Sequence, residues 1–210
     1  YMQLFEGEDK HPLPEDCYQG MDILDHAREF AKLYGDKYVN APEEERRKAL
    51  VDYALPLNIA ALERDLGRYR IHYDVWFRES VLHREGKVTA ICEKLKENGW
   101  AYEKEGALWY NNIKMMTEKA KKAGKPLSEA EIAELKDDVL VRANGVPTYF
   151  AADIAYHYNK FAERGFHRVI NIWGADHHGH VARLKGAMDA VGLDGNKLDI
   201  AVSYTHLRAH

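Results

Sequence analysis

The sequence predicts an α/β fold, and three observations carry that expectation. Residues 168–201 read as strand, loop, helix and strand in succession, a βαβ unit. Two long segments in the first third repeat apolar residues at helical spacing. Between these regions, short alternating runs break at Glu105-Gly106 and Asn144-Gly145, dipeptides that favour hairpin turns.

Composition bounds the function classes. Of 210 residues, 46% are hydrophobic and 30% charged, the balance of a folded, soluble chain. A net charge of -4 gives no global basic field for nucleic acid or an anionic membrane, so any RNA contact must be local. Two distant cysteines, Cys17 and Cys92, imply a reducing compartment and no disulfide framework, and hence the cytoplasm. No apolar run reaches the roughly 20 residues of a membrane span.

The opening YMQLFEGED reads as the interior of a helix leaving into a loop, so the chain is expected to start within a longer protein. The last nine residues, VSYTHLRAH (202–210), share no pattern with what precedes them. They are the translation of GTC TCT TAT ACA CAT CTC CGA GCC CAC, a reading frame of a sequencing-library adaptor. Residues 202–210, with His206 and His210, are therefore set aside, although Val202 also fits the end of a strand.

The elements follow in order. MDILDHAREFAKLY places Ile23, Ala27, Phe30 and Tyr34 at helical spacing, with Gly35 as a cap. A second helix is expected from Pro42, with Glu43, Glu44 and Glu45 in its first turn, running to about Arg68. Pro56 should kink it or divide it in two. VTAICEKLKENG predicts a short helix closed by Asn98-Gly99, and WAYEKEGALWYN a hairpin. In the lysine-rich stretch after it, Ser128 and Glu131 form a capping box for a small helix. Its interleaved glutamates favour a solvated insertion over RNA binding. DDVLVRANGVPTYF predicts two strands, and a helix is expected from about Phe150 to Glu163. RVINIW reads as a continuous apolar strand of the buried parallel type, followed by GADHHGH, a helix capped by Gly192, and the strand KLDIA. The chain thus divides into a mainly helical segment (1–72), an insertion with a helix and β-hairpins (73–145), a βαβ part (146–201) and the adaptor-derived tail (202–210).

Ligands of such sheets bind at the carboxyl ends of strands, where GADHHGH sits. Asp176, His177 and His180 make zinc chemically possible, but no cysteine or histidine pair elsewhere has matching spacing, so no metal site is expected. In a nucleotide site, Gly174 would let the ligand approach the backbone and Asp176 would accept from ribose hydroxyls. The bland alternative is that Asp176 caps the next helix. In TYFAADIAYH, Tyr149 and Asp153 are four apart and share a helix face. A carboxylate there can take a guanidinium in a bidentate pair. The competing reading has Asp153 serving the helix dipole and Tyr149 lying in the core.

GVPTYFAADIAYHYNKFAERGFHRVINIWGADHHGHVARLKGAMDAVG, YDVWFRES and KENGWAYEKEGALWY together resemble the arginyl-tRNA synthetase family, in its bacterial form, over essentially residues 1–201. Residues 113–136 are longer than the family suggests. The resemblance implies an incomplete Rossmann-type class I synthetase catalytic domain with a helical and β-hairpin insertion. It implies an arginine–tRNA ligase: arginine and ATP, with Mg2+, give arginyl-adenylate, and the arginyl group passes to tRNA-Arg. Carried over, Tyr149 and Asp153 would hold the arginine side chain. Gly174 and Asp176 would contact the adenosine ribose, and His177 would lie near both amino acid and adenylate. His180 completes the G-x-D-x-x-x-H spacing on the nucleotide side. The HIGH-type and KMSKS-type motifs do not occur, so no catalytic residue is assigned; they are expected before Tyr1 and after Ala201, as is the helical domain that reads tRNA. The isolated chain is expected to be inactive. Another class I synthetase, and a non-catalytic nucleotide- or RNA-binding module derived from the fold, are the alternatives.

Overall fold

A computed structural model describes residues 1–15, 17–174 and 179–203. The chain forms two units, Tyr1–Trp76 and Phe77–His210.

The first unit is helical: α1 (Met2–Glu6), α2 (Met21–Tyr34) and α3 (Glu43–Arg68). Gly35 closes α2 at φ 57°, as expected. Phe30 and Ala27 are the buried side of α2. Phe30 gathers Tyr1, Tyr34, Tyr38 and Tyr53 around its ring at centroid distances of 4.5 to 5.5 Å. Pro56 does not divide α3, which is one element of 26 residues. The ring removes the donor for the Asp52 carbonyl, but both residues are exposed, so water can serve that oxygen.

In the second unit come α4 (Ser80–Arg84), α5 (Lys87–Glu97), β1 (Ala101–Lys104), β2 (Ala107–Tyr110), α6 (Asn112–Lys122), α7 (Glu129–Glu134), β3 (Asp138–Val141), α8 (Tyr149–Tyr158), β4 (Val169–Gly174), α9 (Val181–Ala190) and β5 (Leu198–Ser203). Antiparallel β1-β2-β3 form one sheet and parallel β4-β5 another. The β1–β2 turn holds Glu105 and Gly106 at φ 53° and 74°, the left-handed pair that a two-residue hairpin requires. The Ser128–Glu131 capping box opens α7.

Four expectations change. The lysine-rich stretch begins with a packed helix: α6 buries Met115 and ties Lys119 to Asp189 of α9 at 2.6 Å. After Asn144-Gly145 the second strand shrinks to a single bridge, Val141 to Pro147, because Thr148 turns away to cap α8. β4 is parallel but buried on one face only: Val169 and Asn171 face the core, whereas Ile170 and Ile172 are 65% and 76% exposed. The helix after Tyr149 also changes character, its last turn, Asn159–Glu163, being π-helical.

Leu82, Val88, Ile91, Leu95, Leu140, Ile154, Leu184, Met188 and Leu198 form one core, so helices from both sequence regions and both sheets share it. This core seats α8 and α9 side by side at the end of β4, which positions the site.

Candidate functional site

The site is built where α8, the end of β4 and the start of α9 meet. Thr148 begins α8: its hydroxyl accepts from the Ala151 amide at 3.4 Å and donates to the Val139 carbonyl at 2.7 Å, pinning the helix start to β3. Tyr149 then projects outward and is 83% exposed, so it is not a core residue. Asp153 lies one turn later, beyond the first turn of α8, so its carboxylate is not there to serve the helix dipole.

The Asp153 carboxylate meets His180, whose Nε2 is 3.2 Å from Oδ2. The His180 ring packs against Phe150 and Trp173 at 5.1 and 5.6 Å. Gly174 ends β4, in register with Ser203 of β5. Asp176 and His177 lie outside the described residues. The N-cap of α9 is His180. The structure thus brings Asp153 and His180 together, places Gly174 at the strand end, and leaves Tyr149 on the outer side. A cleft of about 250 Å³ beside Tyr149 is lined by Glu79, His83, Arg142, Val146, Pro147, Thr148 and Ala152.

Beneath Asp153 runs a buried polar chain. His157 Nδ1 donates to the Asp153 carbonyl at 2.7 Å, and Asn171 Nδ2 donates to His157 Nε2 at 2.6 Å. Lys160 Nζ donates to Asn171 Oδ1 at 3.2 Å and sits 4.1 Å from the centre of the Tyr156 ring. Burial is the main cause that pushes the His157 pKa down to about 4, with the Lys160 charge adding to it. Desolvation likewise lowers the Lys160 pKa. His157 is therefore neutral, with its proton fixed on Nδ1.

No family model matches the chain. Curated proteins do. The arginine–tRNA ligase of Ruminiclostridium cellulolyticum is 52% identical over 202 residues, covering 96% of this chain and 33% of that protein. That of Caldanaerobacter subterraneus is 54% identical over the same shares. The likeness to these arginine–tRNA ligases runs over nearly the whole of this chain. It spans about a third of the length of these curated relatives. The solved arginyl-tRNA synthetase of Campylobacter jejuni superposes with a TM-score of 0.76 at 32% identity, over 97% of this chain and 41% of that one. The arginyl-tRNA synthetase of Thermus thermophilus, at 18% identity and a TM-score of 0.51, shares the fold over 90% of this chain and 37% of its own.

Sequence reasoning missed several residues around the site. Glu79 lay in YDVWFRES, but nothing in that stretch alone tied it to Tyr149. Asp138 and Asn171 reach the Asp153 region from β3 and β4, where no local spacing could have joined them, whereas His157 stands four residues after Asp153 and Arg183 three after His180, spacings that could have found both. Among the described residues, no group of three or more His, Cys, Asp or Glu is placed to hold a metal ion.

Proposed function

We propose that this chain supplies the arginine side-chain pocket and part of the adenylate site of an arginine–tRNA ligase. The observation that supports this best is Asp153 held at the junction of α8, β4 and α9, in a chain about half identical to such ligases. A fixed carboxylate there offers a guanidinium a planar, charge-assisted pair, and Tyr149 is free to close over the ligand. Gly174 would admit the nucleotide to the strand tip, with Asp176 on the ribose and His177 between ribose and amino acid. His180 is proposed to belong to this pocket as well.

ATP, L-arginine and tRNA-Arg are the proposed partners, the tRNA bound mainly by parts of the protein outside these 210 residues, and the cytoplasm is the proposed compartment. No helix is long and apolar enough to cross a membrane. Mg2+ would enter on the ATP phosphates and neutralise their charge in the transition state; no residue of this chain is assigned to it.

The test is arginine-dependent ATP–pyrophosphate exchange by the complete protein with tRNA present. Asp153→Asn should lower kcat/KM for arginine by about 30-fold or more, since an unpaired guanidinium is left in the pocket. An unchanged value would refute the guanidinium assignment, and no exchange with any amino acid would favour a non-catalytic module. The 210-residue chain by itself should give no exchange.

A further inference from the structure

Two residues at the start of α9 do nothing for α9. His180 occupies the N-cap position, yet its side chain makes no capping hydrogen bond. Arg183 puts a cation in the first turn, the end of a helix where the dipole disfavours positive charge. Both side chains are instead committed to a line of contacts that runs from β3 to α8.

Arg183 is the hub of that line, and each of its guanidinium nitrogens has a partner. Nε donates to the Gly179 carbonyl at 3.3 Å, Nη1 donates to the Asp138 carboxylate, and Nη2 lies 3.3 Å from His180 Nδ1. A guanidinium can only donate, so Nδ1 of His180 must be the accepting nitrogen. The proton that the imidazole donates is therefore on Nε2, aimed at Asp153 Oδ2 3.2 Å away. The rings of Phe150 and Trp173 hold the imidazole from its sides. Asp138, largely buried on β3, anchors the far end; desolvation raises its pKa even against the pull of Arg183.

We propose that Asp138, Arg183 and His180 form a positioning relay that sets the plane of the Asp153 carboxylate for a guanidinium ligand, so that His180 acts on Asp153 rather than on the nucleotide. This rests on Asp153 being the guanidinium partner. A carboxylate on a helix can rotate about two bonds, and bidentate recognition needs both oxygens in the ligand's plane. A donor fixed at Oδ2 removes that freedom. It occupies one lone pair, and among the described residues Oδ1 accepts no hydrogen bond, so both oxygens keep capacity for the ligand. Arg183 fixes which imidazole nitrogen bears the proton, and Asp138 fixes Arg183.

The relay is tested in the complete protein by measuring KM for arginine and for ATP separately. His180→Phe keeps the ring between Phe150 and Trp173 but removes the donor. It should raise the arginine KM by roughly 10-fold and leave the ATP KM within about twofold. His180→Gln, which restores an N–H donor, should recover most of the loss. Arg183→Met should act in the same direction, and it carries the test if circular dichroism shows His180→Phe unfolded. In an Asp153→Asn background the His180→Phe effect should vanish, because the relay works only through that carboxylate. A rise in ATP KM instead would return His180 to the nucleotide, and unchanged constants would overturn the relay. If Asp153→Asn alone has no effect, the guanidinium reading itself fails. If it is severe while His180→Phe is silent, only the relay fails.

Discussion

His157 owes its neutrality to its surroundings. It is buried, it receives a hydrogen bond from Asn171 on Nε2, and the Lys160 ammonium lies on the far side of Asn171. Protonating Nε2 would replace an accepted hydrogen bond by two donors facing each other, next to a cation. The folded pKa of about 4 lies below the roughly 6.5 of an unfolded histidine. Above pH 6.5 the group is neutral in both states and stability does not depend on it. As pH falls below 6.5 the unfolded chain takes up a proton that the folded chain refuses, and stability is lost until about pH 4. Unfolding by urea should thus show the second unit losing up to about 3 kcal/mol between pH 7 and pH 4 from this residue. His157→Gln can keep both hydrogen bonds but cannot titrate, so its stability should fall less over that range. Equal pH slopes for parent and variant would show that His157 is not buried in this way. The residue matters because its Nδ1 bond ends on the backbone of Asp153, and Asn171 stands three positions before Gly174 on β4.

Elements are joined at close approaches that leave no room for a side chain, and Gly195 is one. It begins the short 3₁₀ turn Gly195–Lys197 between α9 and β5, and its amide donates to Asp189 Oδ1 at 2.8 Å. A Cβ at Gly195 would stand 2.3 Å from the Lys185 carbonyl oxygen, a backbone atom that cannot swing aside. Gly195→Ala should therefore cost about 2 to 4 kcal/mol, by forcing the turn away from α9 and shifting β5 against β4. Thermal unfolding of the variant measures this, and a cost below about 0.5 kcal/mol would mean the turn relaxes freely. Most elements were legible in the sequence because a single local cause decides them. Glycines at Gly35, Gly99 and Gly192 end helices at positive φ, Ser128 and Glu131 cap α7, and Glu105-Gly106 makes its turn. What escaped was decided at a distance. The lysines of α6 read as solvent-facing, yet Lys119 is drawn to Asp189, 70 residues away in the chain. The run Val169–Trp173 is apolar apart from Asn171, so sequence alone could not show that Ile170 and Ile172 stay uncovered. The site divides the same way: Tyr149, Asp153, Gly174 and His180 stand in recognisable motifs, whereas Asp138 and Asn171 join them only through the fold.

At the scale of the whole chain, the β4–β5 pair has one dressed face and one bare one. Val169, Asn171 and Leu198 are buried, with Ile200 packed on the core, while Ile170, Ile172 and Ala201 lie on the opposite, exposed side. The register puts Ile172 beside Ala201 and Ile170 beside Asp199, which pairs with Arg168 at the margin of the strip. Parallel sheets are normally covered on both faces. Each isoleucine left in water forgoes about 1.5 to 3 kcal/mol of burial, so two neighbouring ones are a strong incentive to find a cover. The 210-residue chain in isolation has another copy of itself as the most abundant apolar surface to hand, and it should self-associate as its concentration rises. Sedimentation velocity across a dilution series would show this as a shift from monomer toward larger species. Replacing Ile170 and Ile172 together by threonine keeps good strand formers and puts hydroxyls on the bare face. That double variant should stay monomeric at concentrations where the parent associates, with little loss of secondary structure. A parent chain that remains monomeric throughout, or a variant that associates equally, would show that the bare face of β4 is not what draws copies together.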